Sequence, residues 1–319
     1  MTTPIRLGPG HRQAALPPLL AILLAVGACV APGGGSAVPA SPTSPAPTAS
    51  PSPSAATPTG ISHPSGARDV VFRYSQVGGF IAPDMAFRDM PALSVFGDGL
   101  VIVDGPVIAI YPGPALRNLQ ASHISETGLQ RLLAAARDAG LLGPDAAWDA
   151  VGVADGSTAI FTTVAGGATH TVSAYGLTEA ATDAGLDRTT AAARGTLRAF
   201  VERLGDLAGL VGSDQLTAPG SYRPGAVRLR IVEETPDAPL PSPAQSPVAW
   251  PLAPSLALFG APVGGPTGGA RCGVVAGADL DALYPLLEGA TPLTPWTSAG
   301  RRYLLVIRQL LPDESGCPE

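Results

Sequence analysis

The first 66 residues of this 319-residue chain offer almost nothing from which a folded core could be built. Residues 30–66 carry no Asp, Glu, Lys or Arg, and nine of these 37 residues are proline. A segment of this composition buries too little apolar surface to offset the entropy lost on ordering it. We therefore predict a disordered, polyproline-like tether over residues 29–66. The remainder, roughly 250 residues, suffices for one large or two small domains.

A signal-like segment precedes the tether. Arg6 and Arg12 supply a positive n-region, residues 14–26 form an apolar run, and small residues lead into Cys29. Residues 26–29 (Val-Gly-Ala-Cys) resemble the lipobox of bacterial lipoproteins. The resemblance implies that residues 1–28 are removed, that Cys29 carries lipid, and that the protein is anchored outside the cell membrane. The alternative is an ordinary signal peptide or a transmembrane anchor, although the apolar run is short for a membrane-spanning helix of ~20 residues.

The charge balance limits the classes of partner. The net charge is −6, which argues against nucleic acid, and all 19 basic residues are arginine. Without lysine, the chain has no Schiff-base lysine, no Ser-x-x-Lys dyad and no phosphate-loop lysine.

Alternating and helical hydrophobic patterns predict an α+β fold, with antiparallel sheets and helices packed on one face. Glycine pairs separate the predicted strands, and Ser125 is positioned to cap a helix over residues 126–139. A second helix is predicted over residues 190–210, and residues 107–111 are predicted as a strand. The predicted regions are residues 67–234 as the main domain, 235–270 as a proline-rich connection, and 271–319 as a small second lobe or a continuation of the same sheet.

Three cysteines are present. If Cys29 carries lipid, Cys272 and Cys317 are the natural disulfide pair in the oxidising exported compartment. Two free thiols or a metal pair are the alternatives, but no third ligand is near them in the sequence.

No recognisable catalytic, metal or cofactor motif occurs, so we predict none of these sites and favour a non-enzymatic role. His123 and His170 are the only histidines in the predicted folded part, which leaves few ways to build a triad or a zinc site. Two distant carboxylates could still meet across a cleft, as in glycosidases.

One dense stretch is a speculative binding site. Trp296, Arg301, Arg302 and Tyr303 lie within eight residues, and aromatic and arginine side chains concentrate binding energy at interfaces. A local arginine pair in an acidic protein could meet an anionic partner such as a wall polymer. The alternative is a packed Trp296 beneath a loop with solvated arginines.

A second resemblance covers most of the predicted folded part. It is carried by residues 72–80, the hairpin 94–103, Ile110-Tyr111-Pro112-Gly113-Pro114, Leu293-Thr294-Pro295-Trp296 and residues 302–312. These segments resemble a family of uncharacterised secreted lipoproteins from high-GC bacteria. The resemblance implies localisation and architecture but no activity.

Together these features predict a membrane-anchored, extracytoplasmic lipoprotein that displays a binding or interaction domain on a tether. Its predicted partners are the membrane, through the lipid, and a cell-wall polymer or an envelope protein. The alternative is a secreted carboxylate-based hydrolase acting on cell-wall or extracellular polymer, for which two carboxylates should face each other across a cleft within about 10 Å.

Overall fold

The computed structural model describes residues 60–150, 152–179, 183–235, 237, 242–263 and 269–317. The chain divides into two units, Met1–Ala55 and Ala56–Glu319, and every described residue belongs to the second. The signal-like segment and Cys29 lie outside the described residues.

The first sheet contains eight strands. They are β1 (Val70–Gly78), β2 (Leu93–Phe96), β3 (Leu100–Asp104), β4 (Leu119–His123), β5 (Ala146–Ala147), β6 (Ser157–Ala165), β7 (Ala168–Tyr175) and β8 (Gly220–Ser221). Their order is β5-β7-β6-β1-β2-β3-β4-β8, and every pair is antiparallel except β5 with β7. The predicted hairpin turn at residues 97–99 joins β2 to β3.

The second sheet contains six strands. They are β9 (Ala226–Glu233), β10 (Val248–Ala249), β11 (Ala261–Val263), β12 (Ala270–Ala276), β13 (Trp296–Ser298) and β14 (Arg301–Gln309). Their order is β10-β13-β14-β9-β12-β11, with only β10 and β13 parallel. The C-terminal part therefore forms its own sheet, and β9, predicted to end the main domain, pairs with this later part of the chain.

Among the described residues, five α-helices accompany the sheets: α1 (Pro83–Phe87), α2 (Glu126–Asp138), α3 (Arg188–Leu204), α4 (Leu207–Val211) and α5 (Gly277–Glu288). The α+β prediction is confirmed. Ser125 caps α2 by accepting from Gly128 N at 3.2 Å, as predicted. The helix predicted over residues 190–210 is two helices, because α3 ends at Gly205 and Asp206 caps α4 through Gly209 N.

Each of the two sheets has a hydrophobic core on one face. Apolar side chains of α2, α3 and α4 pack on one face of the first sheet, where Phe72, Tyr74, Phe161 and Phe200 form ring contacts. In the second core, α5 packs on one face of the second sheet. The proline-rich connection joins this core through its buried Trp250 and Leu256, and the prediction that it would be irregular was wrong at β10 and β11, which pair with the second sheet.

A third, smaller cluster lies on the opposite face of the first sheet, where Phe96 and Ile102 meet Met90, Leu119 and Leu311. Leu311 belongs to residues 310–317, which we call the C-terminal strap. Cys317 of the strap is bonded to Cys272 of β12, with a Cα–Cα distance of 6.0 Å. The predicted disulfide is present.

The ordered chain begins before residue 67. Gln130 of α2 accepts from Ile61 N at 2.7 Å and donates to Ile61 O at 2.9 Å, and Gly166 N donates to Ser62 O at 2.8 Å. Residues 60–66, predicted as part of the tether, thus pack on the domain because one apolar residue, Ile61, contacts the first core.

Candidate functional site

The structure separates the four residues of the predicted binding stretch. Trp296 and Tyr303 face each other across β13 and β14 and are both buried in the second core. They pack there because alternate residues of β14 point to the α5 side of the sheet. Trp296 is therefore a strand residue that forms a ring contact with Trp250. Together the four residues form no common surface.

The two arginines of that stretch point to other partners. Arg301 is exposed and pairs with Glu233 at 2.9 Å, and Arg302 pairs with the buried Glu234 at 3.2 Å. Each arginine thus has its own carboxylate.

His123 and His170 both lie in strands and contact neighbouring loops. His123 is exposed at the end of β4, and its backbone N–H donates to Thr217 Oγ1 at 2.8 Å. His170 Nδ1 is 2.8 Å from Gly143 O. Within the residues that the structure describes, no group of three or more His, Cys, Asp or Glu side chains is arranged to hold a metal ion.

The most distinctive surface lies at one end of the first sheet. The β1–β2 connection and the β3–β4 connection both leave this end, because Gly78, Leu93, Asp104 and Leu119 are the strand termini there. The two connections touch: Arg88 of the first donates to Ala115 O of the second at 2.9 Å. Neighbouring connections of an antiparallel sheet are thus joined into one surface.

This end of the sheet exposes an unusual concentration of apolar side chains. Among the described residues ten large apolar side chains are exposed, and eight of them belong to β1 and these two connections. We call these eight the apolar end surface: Val77, Phe80, Ile81, Met85, Val107, Ile108, Ile110 and Tyr111. Phe80 is 93% exposed, Val107 78% and Tyr111 77%. Contiguous exposed apolar patches on soluble domains mark interaction sites.

The base of the β3–β4 connection is firmly held. Gly105 N donates to Asn118 O at 2.7 Å, which closes the two ends of the β3–β4 connection. Arg117 N donates to Gln309 Oε1 at 2.8 Å, and Ala115 N donates to Ala290 O at 2.9 Å. These bonds tie the connection to the second sheet and its core, so the exposed tip over residues 107–111 projects from a fixed base.

The tip also lacks charge. Residues 105–116 contain no Asp, Glu, Lys or Arg, and Pro106, Pro112 and Pro114 restrict the backbone. The prediction of a strand at residues 107–111 was wrong, because these residues pair with no neighbouring strand and lie as an exposed loop. An apolar run flanked by prolines was the signal that the sequence carried for this surface.

The cleft between the sheets contains the carboxylates that a hydrolase would need. A cavity of about 460 Å³ is lined by Arg73, Asp89, Arg308 and Glu314, among others. Two arginines engage the strap: Arg73 binds Asp313 in a bidentate pair with distances of 2.9 and 2.7 Å, and Arg308 pairs with Glu314. Burial raises the pKa of Asp89, which accepts from Met90 N at 3.0 Å.

Glu314 is fully engaged in this cleft. One of its carboxylate oxygens accepts from Arg308 and the other accepts from Leu311 N at 3.0 Å. Asp313 is likewise occupied by Arg73. Carboxylates held in this way have a structural role, because their oxygens are occupied by donors of the protein itself.

None of the described helices is both long enough and apolar enough to span a membrane. No protein-family model matches this chain, and neither does any curated protein or solved structure. The two resemblances noted in the sequence therefore stay predictions.

Proposed function

We propose that this chain is an extracytoplasmic lipoprotein, related to the uncharacterised lipoproteins of high-GC bacteria, whose folded domain binds an envelope protein through the apolar end surface. The observation that carries the proposal is the concentration of eight exposed apolar side chains at one end of the first sheet. An uncharged, proline-restricted apolar tip suits the apolar surface of a protein better than a hydrated wall polymer.

The place where residues 60–66 join the folded domain supports this proposal. Residues 60–66 contact the turns at Gly97 and Gly166, which lie at the end of the sheet opposite the apolar end surface. Nine-residue strands such as β1 and β6 span roughly 30 Å. A lipid-anchored tether would therefore join the domain on the side away from the apolar end surface, which would be free to meet a partner.

The anchor is tested at Cys29. Lipid on this residue is expected to appear as added mass on the N-terminal peptide of the processed chain. Cys29→Ser is expected to release the protein or leave an uncleaved precursor, because no thiol is left to accept the diacylglyceryl group. Normal processing and membrane retention of this variant, with no lipid mass in the parent, would contradict the anchor.

The binding surface is tested by making its tip polar. A variant carrying Val107→Ser, Ile108→Asp and Ile110→Ser is expected to unfold at the same denaturant concentration as the parent, because exposed side chains contribute within about 0.5 kcal/mol. It is expected to lose comigration with a larger complex on native gels of gently solubilised envelopes. Leu258→Ser is the matched control, since Leu258 is 69% exposed and lies outside the apolar end surface. A complex that survives the triple change would contradict the proposal.

One observation favours the alternative, a carboxylate-based hydrolase. Asp89 has a raised pKa and shares a cavity with Glu314, and glycosidases pair a raised-pKa acid with an ionised carboxylate. The engagement of Glu314 by Arg308 and Leu311 N makes binding the first choice. Hydrolysis of cell-wall polymer that is lost in Asp89→Asn and in Glu314→Gln would reverse this order.

A further inference from the structure

A second candidate site lies where the second sheet faces the first, and its cavity is bordered by Val77 and Ile81 of the apolar end surface. Arg228 and Arg308 lie directly opposite each other on β9 and β14, so both side chains point from the same face. Arg308 contacts Asp89 O, and the cavity it lines also includes Arg73 of the first sheet. Like charges at directly opposed positions of a sheet are destabilising.

The partners of these arginines are unequal. Arg230, two residues along β9 on the same face, pairs with Asp84, and Arg308 pairs with Glu314. Arg228 has no carboxylate partner and no hydrogen-bond acceptor among the described residues. Its guanidinium carbon lies 4.9 Å from the centroid of the Phe87 ring. Burial, followed by the charge of Arg308, lowers the pKa of Arg228, and the nearby charge of Glu314 partly opposes this shift.

Two donors in this region are buried without a protein acceptor. They are Nε of Arg228 and Nε of Arg308, neither of which has an acceptor in the part of the chain that the structure describes. A buried donor without an acceptor destabilises the fold by about 1–3 kcal/mol, and more when it is charged. Both atoms belong to neighbouring side chains, so a single acceptor group could satisfy them together.

The adjoining space is large enough for a small ligand. The cavity of about 460 Å³ lies beside Arg308 and is also lined by Ala86, the neighbour of the Phe87 over which Arg228 lies. Volumes of a few hundred Å³ are typical of small-molecule sites. Ser75 and Arg73 line the same cavity from the first sheet.

We propose that this cleft binds a small molecule carrying a phosphate group, whose oxygens accept from the guanidinium groups of Arg228 and Arg308. Phosphate fits better than a carboxylate because neither Arg228 nor Nε of Arg308 has a hydrogen-bond acceptor among the described residues, and phosphate offers more acceptor oxygens than a carboxylate does. The group lies toward Arg228, since Asp89 and Glu314 on the cavity wall repel an anion.

Titration calorimetry of the full chain in detergent, at low ionic strength, tests the site with inorganic phosphate and with glycerol 3-phosphate. The parent is expected to bind at least one probe saturably, and Arg228→Met to bind it at least tenfold more weakly. Arg230→Met is the matched control and is expected to bind like the parent. Asp89→Asn is expected to bind severalfold more tightly, because it removes a negative charge from the cavity wall.

The two probes separate the sources of the phosphate. If glycerol 3-phosphate binds more tightly than inorganic phosphate, the site also contacts the organic part of the ligand. If the two affinities are equal, the site contacts the phosphate group alone. Either result supports the proposal. Arg228 makes no protein hydrogen bond, so Arg228→Met is expected to retain the parent's near-ultraviolet circular dichroism. Absence of saturable binding of both probes, or equal affinity in the parent and in Arg228→Met, would overturn the site.

Discussion

Arg194 shows how a single residue can organise a region of this fold. Its side chain is fully buried on α3 and donates to Trp148 O, Tyr175 O and Gly176 O at 2.7–2.9 Å. Its Nε donates to Asp183 Oδ1 at 2.9 Å, and Asp183 also pairs with Arg198. One planar guanidinium thereby satisfies carbonyls at the end of β7 and in the chain that follows β5, which a lysine could not do.

We predict that Arg194→Met destabilises the domain by about 2–6 kcal/mol, because the carbonyls of Trp148 and Gly176 lose their donor at about 1–3 kcal/mol each. Urea unfolding measures this loss. The control is Arg198→Met, whose guanidinium is partly exposed and whose loss should cost about 1 kcal/mol or less. If the two substitutions lower the free energy of unfolding equally, burial of Arg194 does not determine its contribution to stability.

The same ion pairs predict a dependence on pH. The bonds from Arg198 and then Arg194 lower the pKa of Asp183 to about 2, below its unfolded value of about 3.9. A depressed pKa contributes stability that is complete above the unfolded value and is lost as the pH falls toward the folded value. The urea midpoint should therefore fall between about pH 4 and pH 2 in the parent. In Asp183→Asn this part of the fall should be missing, and an unchanged pH profile would contradict the assignment.

At the scale of elements, the strap decides how the C-terminal end is held. It runs from β14 to Cys317, pairs with Arg73 of the first sheet through Asp313 and with Arg308 of the second sheet through Glu314, and buries Leu311. The disulfide to Cys272 returns it to β12. The strap therefore links both sheets by ion pairs, apolar contact and one covalent bond.

We predict that Cys272→Ser combined with Cys317→Ser lowers the free energy of unfolding by about 3–4 kcal/mol, because the bonded residues are 45 apart and the bond restricts the unfolded chain. Denaturant unfolding of the oxidised parent and of this variant measures the difference. Unfolding free energies that agree within about 0.5 kcal/mol would show that the strap's other contacts hold it without the bond.

Local patterns predicted most of these elements, and long-range pairing was what they missed. The apolar stripe of α2, its Ser125 cap and the alternation in β9 were readable because each depends on neighbours in sequence. The partition into two sheets was not readable, since β9 pairs with β12 and β14 across intervals of roughly 40 to 80 residues, where sequence pattern alone carries no register. Arg194 did leave a signal: it lies three residues before Leu197 on the stripe that faces the core.

The candidate sites show the same difference between what local patterns predict and what long-range pairing determines. Trp296 and Tyr303 were singled out by residue type, but strand alternation buries them both in the second core. The exposed residues 107–111 were predicted as a strand, because apolar residues that serve a buried strand also serve an exposed binding loop. Arg228 and Arg308 are 80 residues apart, so only the pairing of β9 with β14 brings them together.

At the scale of the whole molecule, the two ends of the first sheet have different features. The chain enters at the turns beside Gly97 and Gly166, and the apolar end surface lies at the other end of the sheet. Residues 30–59, the part of the predicted 29–66 tether that precedes the described residues, would reach roughly 90 Å if extended at ~3.1 Å per residue. An anchored domain would then present the apolar end surface well away from its own attachment point.

Photo-crosslinking in intact cells tests this account most directly. A benzophenone amino acid is placed at Ile108 on the apolar end surface and, as the matched control, at Thr169, an exposed position beside the turn at the opposite end of the sheet. The account predicts one discrete protein adduct from Ile108, lost when Val107→Ser and Ile110→Ser are added, and no such adduct from Thr169. Equal labelling from both positions, or no protein adduct from Ile108, would contradict it.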